Sequence, residues 1–168
     1  MKKMVMFLIV LILLAGCSSN VPEKANTTNQ ESAKNEQQSD EQYIKVSIDS
    51  AFELLESANE LKTLLVYADV ENEGWQSEVE DTLMDISKAT NDYMITELDM
   101  TDGQNEKFKE TKAIYSEGIS SFEDIIQDTR KALETYDKKA LEYIRDSQLN
   151  QANSLILKAK DQLENERY

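Results

Sequence analysis

The chain has 168 residues, with 18 basic and 33 acidic side chains and no histidine, for a net charge of −15. Such a surplus of acid argues against nucleic acid, whose phosphates need Lys and Arg partners, and against flat adhesion to anionic lipid. With no histidine, one cysteine and four glycines, the chain cannot build a Ser-His-Asp or Cys-His group, and it lacks the glycines for a phosphate-cradling loop.

Met1, Lys2 and Lys3 open the chain with positive charge, Met4 to Ala15 form a nearly unbroken apolar run, and Gly16, Cys17, Ser18 and Ser19 follow. That order of segments reads as a secretory signal peptide. The apolar run is about a dozen residues long, short of the roughly 20 that a membrane-spanning helix needs. Leu14-Ala15-Gly16-Cys17 resembles the lipobox of bacterial lipoproteins. The resemblance covers residues 1–20 alone, and it implies that the Cys17 thiol receives a diacylglyceryl group and that the chain is cut between Gly16 and Cys17. Cys17 is the only cysteine, so no disulfide within the chain competes for it. One acyl chain anchors a protein marginally and two anchor it stably, at about 0.8 kcal/mol per buried methylene. The expected location is the extracytoplasmic face of a cell membrane, attached through the lipid on Cys17. Richness in Lys, Asn and Glu favours a Gram-positive surface, with a Gram-negative outer membrane as the alternative.

After residues 1–16, the stretch 17–42 is almost wholly polar, with Val21, Pro22, Ala25 and Ala33 as its few apolar positions beyond Cys17. It buries too little apolar surface to offset chain entropy, which predicts a disordered tether.

Residues 43–168 change to helical periodicity. Ile44, Ile48, Ala51, Leu55, Ala58, Leu61, Leu65 and Ala68 recur at steps of three and four, as one face of an amphipathic helix does. Trp75, Val79, Leu83, Ile86, Ala89 and Tyr93 give a second stripe, with Met94 and Leu98 continuing close by. Tyr115, Ile119, Phe122, Ile126, Thr129, Leu133 and Tyr136 give a third, with Phe108 a heptad upstream. Leu141, Ile144, Leu149, Ala152, Ile156, Ala159 and Leu163 give a fourth, interrupted by the amide-rich run Ser147–Ser154. That run is expected to be exposed, or else to make polar contacts with a partner helix. Gly118 sits inside the third stripe, where it costs about 1 kcal/mol relative to Ala; close approach of a neighbouring helix is the expected reason, a hinge the alternative.

Glu71-Asn72-Glu73-Gly74 and Thr101-Asp102-Gly103-Gln104 read as turns in which Gly can supply positive φ. A third break falls near Asp137, a plausible N-cap. Fusing the last two stripes would give a helix of about 90 Å, half of whose apolar face lacks a partner. The predicted fold is therefore all-α, an antiparallel four-helix up-down-up-down bundle, with a three-helix bundle carrying a long last helix as the alternative.

No metal, cofactor or catalytic residue is expected. Di-metal bundles use Glu-x-x-His pairs, which this chain cannot supply, and zinc sites usually draw on Cys or His. The acidic loop 99–106 is not an EF-hand: with Gly103 sixth, Leu98, Met100 and Lys109 occupy the first, third and twelfth positions, where oxygen ligands are required. These exclusions point to a binding or interaction module of the bacterial cell envelope, with an envelope protein as partner. The alternative is a carrier of a small apolar or lipidic ligand in the bundle core. Tyr67, Trp75, Tyr136 and Tyr143 would gather at the end far from the lipid, where they either cap the core or meet a partner.

Overall fold

A computed structural model describes residues 27–98 and 100–167. Among the described residues every regular element is a helix and there is no strand, so the protein is all-α. The elements are α1 (Thr27–Val66), α2 (Glu73–Leu98), α3 (Asp102–Lys107), α4 (Lys109–Glu134), α5 (Lys138–Tyr143) and α6 (Leu149–Asn165). A π-helical turn, Ile144–Gln148, joins α5 to α6. No helix among the described residues is long and apolar enough to cross a membrane. Residues 1–26, with the signal peptide, Gly16 and Cys17, lie outside the described residues.

The first helix corrects one expectation. It begins at Thr27 and runs for 40 residues, about 60 Å, so residues 27–42 carry helical backbone where a disordered tether was predicted. Low hydrophobicity measures what a segment can bury. It does not prevent Gln, Glu, Lys and Ala, which are good helix formers, from extending a helix already nucleated by packing at Tyr43 and beyond.

The stripes form the core. Ile44, Ile48, Ala51, Ala58, Leu61 and Leu65 of α1 are buried, as are Val79, Leu83, Ile86, Ala89 and Tyr93 of α2. Tyr115, Ile119 and Phe122 of α4 meet Leu149, Ala152 and Ile156 of α6 in the same cluster. Leu54, rather than Leu55, takes the fully buried place in α1, and Met94 faces outward. A smaller cluster of Tyr43, Ile44, Ile48, Phe108 and Leu163 lies where the middle of α1, the end of α6 and the α3–α4 junction meet. α1 packs along α2 and α6, and α4 packs along α6 and α2.

Helix ends follow from short polar side chains. Asn72 Oδ1 accepts from the Gly74 and Trp75 amides at 2.9 and 3.2 Å, capping α2. Thr101 and Gln104 form a reciprocal capping box at the start of α3. Neither Gly74 nor Gly103 has positive φ; the turns need side-chain acceptors rather than glycine's extra freedom. α4 ends in a Schellman-type closure, with the Asp137 amide donating to Ala132 C=O at 2.9 Å and the Tyr136 amide to Leu133 C=O at 3.2 Å. Asp137 then caps α5 by accepting from Lys139 and Ala140 amides. The last two stripes are thus two separate helices.

The π turn explains the interrupted fourth stripe. Ile144 to Leu149 is a step of five, which a regular α-helix would leave about 140° out of register. The Leu149 amide donates to Ile144 C=O, five residues back, and the wider turn absorbs the extra residue. Both side chains are buried as a result. Of the amides around them, Gln148 Nε2 donates to Asp128 on α4 and Asn150 Oδ1 accepts from Lys62 on α1, whereas Gln148 Oε1 and Asn153 Oδ1 are buried with no hydrogen-bond partner among the described residues.

Candidate functional site

The four aromatics singled out in the sequence divide into one half-buried ring and three exposed ones. Trp75 packs against the core cluster, and its indole N–H donates to Leu64 C=O at 3.1 Å. The Tyr67 amide donates to that same carbonyl at 3.2 Å, so a single acceptor ties the end of α1 to the start of α2. Trp75 therefore caps the core. Tyr67, Tyr136 and Tyr143 instead leave 79%, 59% and 61% of their surface in solvent, and Val66, which precedes Tyr67 in the chain, is also half exposed. α5, which carries Tyr143, packs against both α1 and α4, and the Arg145 guanidinium reaches Leu65 C=O at 3.5 Å while gripping Asp146 in a bidentate pair.

Tyr136 is the one non-glycine residue with positive φ, 54°, among the described residues. It stands at the position after a helix end where Gly is usual and Asn second. A bulky side chain there costs about 1 to 3 kcal/mol unless something compensates, and the exposed ring shows no compensating burial.

The charge differs between these rings: exposed Lys138 and Lys139 follow close after Tyr136, whereas acid alone surrounds Tyr67 along the chain. Between Thr63 and Ser87 the chain carries Asp69, Glu71, Glu73, Glu78, Glu80, Asp81 and Asp85 and no Lys or Arg. Among the described residues, Glu80 alone of these makes an ion pair, with Arg130 at 3.1 Å.

A second constellation was not visible in the sequence. Tyr93 of α2 stacks face to face on Tyr115 of α4, with ring centroids 3.6 Å apart, and Tyr43 of α1 packs on Phe108. The Tyr115 hydroxyl donates to Ser47 C=O at 3.3 Å. The hydroxyls of Tyr43, Ser47 and Tyr93 are buried with no hydrogen-bond partner among the described residues. Burial raises the phenol pKa of all three tyrosines above the ordinary value. For Tyr93 and Tyr115, neighbouring Tyr43 and Glu97 add to the rise. Glu97 in turn faces Lys112 at 3.9 Å and accepts from Ser116 at 3.4 Å. Periodicity marks Tyr93 and Tyr115 as inward-facing, but the register between helices brings them together, and no spacing along the chain encodes that register directly.

Three hollows lie near this constellation. One of about 280 Å³ is lined by Tyr43, Val46, Ile95 and Met100, and one of about 530 Å³ by Met94, Ile95, Glu97 and Lys112. The third, about 580 Å³, is lined by Asp40, Thr101, Asp102 and Lys107. Exposed residues line each of them, so they open at the surface instead of hollowing the core. Among the described residues no group of three or more acidic or cysteine side chains could hold a metal ion. The chain matches no protein-family model, no curated protein and no solved structure.

Proposed function

We propose that the protein is a lipid-anchored, extracytoplasmic, non-catalytic binding module of the bacterial cell envelope, built as an antiparallel four-helix up-down-up-down bundle. Contacts across each adjoining helix pair support the topology. Lys62 meets Asn150 while Phe52 meets Lys160, and Glu80 meets Arg130 while Glu97 meets Lys112. Thr111 meets Gln162 while Asp128 meets Gln148, and Leu64 meets Trp75 at the α1–α2 turn. In each pair with two such contacts the numbers rise on one helix as they fall on the other. The α1–α2 and α4–α5 turns then share one end of the bundle, and the start of α1, which leads back toward Cys17, lies at the other. The helical stretch 27–42 would hold the bundle about 24 Å further from the lipid.

The observation that carries the binding reading is that three tyrosines are exposed at one end, one of them held at positive φ. Exposed aromatics combine apolar area with a polar handle and recur at interaction hot spots. The carrier reading has less support, since the bundle interior is filled by large side chains and the hollows open at the surface. The test is photocrosslinking in living cells from a probe at Tyr67 or Tyr143. The expected result is one envelope protein captured reproducibly from this end and not from probes on the exposed face of α2, such as Met84. Equal capture from both positions would refute the reading.

A further inference from the structure

Resting on the lipid-anchor part of that reading, we infer that the hollow lined by Tyr43, Val46, Ile95 and Met100 seats one acyl chain of the lipid on Cys17. Ser39, Gln42 and Gln104 complete its lining. None of these residues is charged, in a chain with 30% charged residues, so an ionic ligand would find no opposite charge on the walls. Charges that flank them along the chain are met elsewhere: Asp40 is held by Lys107 at 2.7 Å, and Glu41 and Lys45 are exposed to water. Val46 and Ile95 are large apolar side chains left exposed, and Met100 packs against the Tyr43–Phe108 cluster. Ile95 also borders the hollow of about 530 Å³, with Met94 beside it, so the apolar wall continues from α1 across α2. Unbranched Met side chains adapt to an irregular occupant. A donor is present as well. Gln104, 6% exposed, accepts from the Thr101 amide and hydroxyl through Oε1, whereas its Nε2 makes no hydrogen bond among the described residues. The ester carbonyl at the head of an acyl chain is an acceptor for such a group.

The length of chain ahead of α1 selects the occupant. Ser39 and Val46 stand about 18 and 28 Å along the helix axis from Thr27. Cys17 precedes Thr27 by ten residues, whose contour is at most about 33 to 36 Å. That is enough to bring Cys17 back beside the hollow. A tethered ligand competes at an effective concentration on the order of millimolar, which a free lipid has to match. Seating one chain changes the anchor itself, because two acyl chains hold a protein stably and one holds it marginally. With both chains in the bilayer the attachment is lasting; with one in the hollow it becomes reversible.

The test places a photoreactive probe at Val46 of the full-length lipidated protein in cells and measures the masses of the crosslinked peptides. The expected adduct joins position 46 to an acyl chain of the same molecule's N-terminal lipopeptide, in a yield independent of expression level. A probe at Met84, which lines none of these hollows, should give none. Ile95→Glu puts a charge on the apolar wall at an exposed position, and a melting curve verifies the variant. It should lower the adduct about tenfold, and the purified lipidated variant should transfer between phosphatidylcholine vesicles at least about tenfold more slowly, the equivalent of roughly two methylenes losing their seat. Ile95→Leu should preserve both. Adducts to phospholipid or free fatty acid in place of the lipopeptide would show that the hollow takes a foreign chain, and the inference falls. It falls equally if Val46 and Met84 capture lipid alike, or if Ile95→Glu changes neither readout. A lipidated Cys17 with no adduct would remove this inference and leave the anchor standing, whereas a mature N-terminus without lipid would remove both.

Discussion

Gly118 of α4 and Ile156 of α6 approach so closely that a Cβ on Gly118 would stand 2.7 Å from Ile156 Cδ1 and 3.1 Å from its Cγ1, with Leu155 Cβ at 3.3 Å. Ile156 is fully buried and cannot swing away without disturbing its neighbours. Gly118→Ala should therefore destabilise the protein by up to about 2 kcal/mol. The overpacking cost of about 1 to 3 kcal/mol is offset in part by the helix-propensity gain of about 1 kcal/mol. Ile156→Val removes the nearest atom, so the double variant should be more stable than the two single effects summed. Urea denaturation followed by circular dichroism measures all four proteins, and strict additivity would refute the contact.

How far the sequence carried the fold is visible at particular residues. Apolar steps of three and four located the buried faces of four helices, because burial and periodicity are two views of one geometry. The step from Ile144 to Leu149 looked like a fading stripe, since nothing in a list of residues distinguishes exposure from a π turn that restores register. Tyr136 ended the third stripe on paper yet faces solvent in the fold, because α4 stops at Glu134 and the chain reverses its backbone sign at φ 54°. The stacked Tyr93 and Tyr115 are on different helices, and their meeting depends on how those helices slide past one another. As for the candidate site, all four aromatics are legible by type, but packing against the core and the hydrogen bond to Leu64 C=O are what separate Trp75, a cap, from the three exposed tyrosines.

Trp75→Ala should lower stability by roughly 2 to 4 kcal/mol, near the lower part of the range for large aromatic deletions because the ring is only half buried. Trp75→Phe keeps most of the apolar contact and loses the bond to Leu64 C=O, which should cost about 1 kcal/mol. Thermal melts of both variants check this. A Trp75→Ala protein that melts with the unaltered one would show that the ring does not cap the core.

Stability should fall steeply in alkali. Tyr43, Tyr93 and Tyr115 have folded-state phenol pKa values raised by burial above the unfolded value near 10. A raised pKa favours the protonated form in the fold, so this stability is present in full below about pH 10 and is lost as pH rises past it. Each such phenol contributes a loss of about 1.4 kcal/mol per pH unit there. Tyr93→Phe removes a buried, unpartnered hydroxyl, so at neutral pH it should be neutral or stabilising, and its alkaline loss should be shallower by one group. Denaturant melts at pH 7, 10 and 11 decide the point; parallel curves for the two proteins would contradict it.

Cys17→Ser should release the protein from membranes. The variant lacks the thiol that the lipobox resemblance implicates, and with it both acyl chains, whose combined burial is what makes attachment stable. Fractionation of cells, with mass measurement of the mature N-terminus, reads the outcome. A Cys17→Ser protein that still sediments with membranes would sink the lipid anchor.

Tyr136→Gly should make the protein more stable and less able to bind. The left-handed backbone at φ 54° suits Gly at a Schellman helix end, whereas a side chain with a Cβ carries a cost there. The ring, exposed over 59% of its surface, returns little of that cost through packing. Removing it should gain about 1 kcal/mol, a rise of roughly 3 to 5 °C in Tm for a domain of this size. Asn, which also tolerates this conformation, should give a smaller gain in the same direction. Under the interaction reading the strain is retained because the ring meets a partner, so both variants should weaken crosslinked capture from the Tyr67 and Tyr143 positions while melting later. Loss of stability in Tyr136→Gly would instead mean that the ring is part of the core's cap, as Trp75 is, and that the exposed patch contains two tyrosines instead of three.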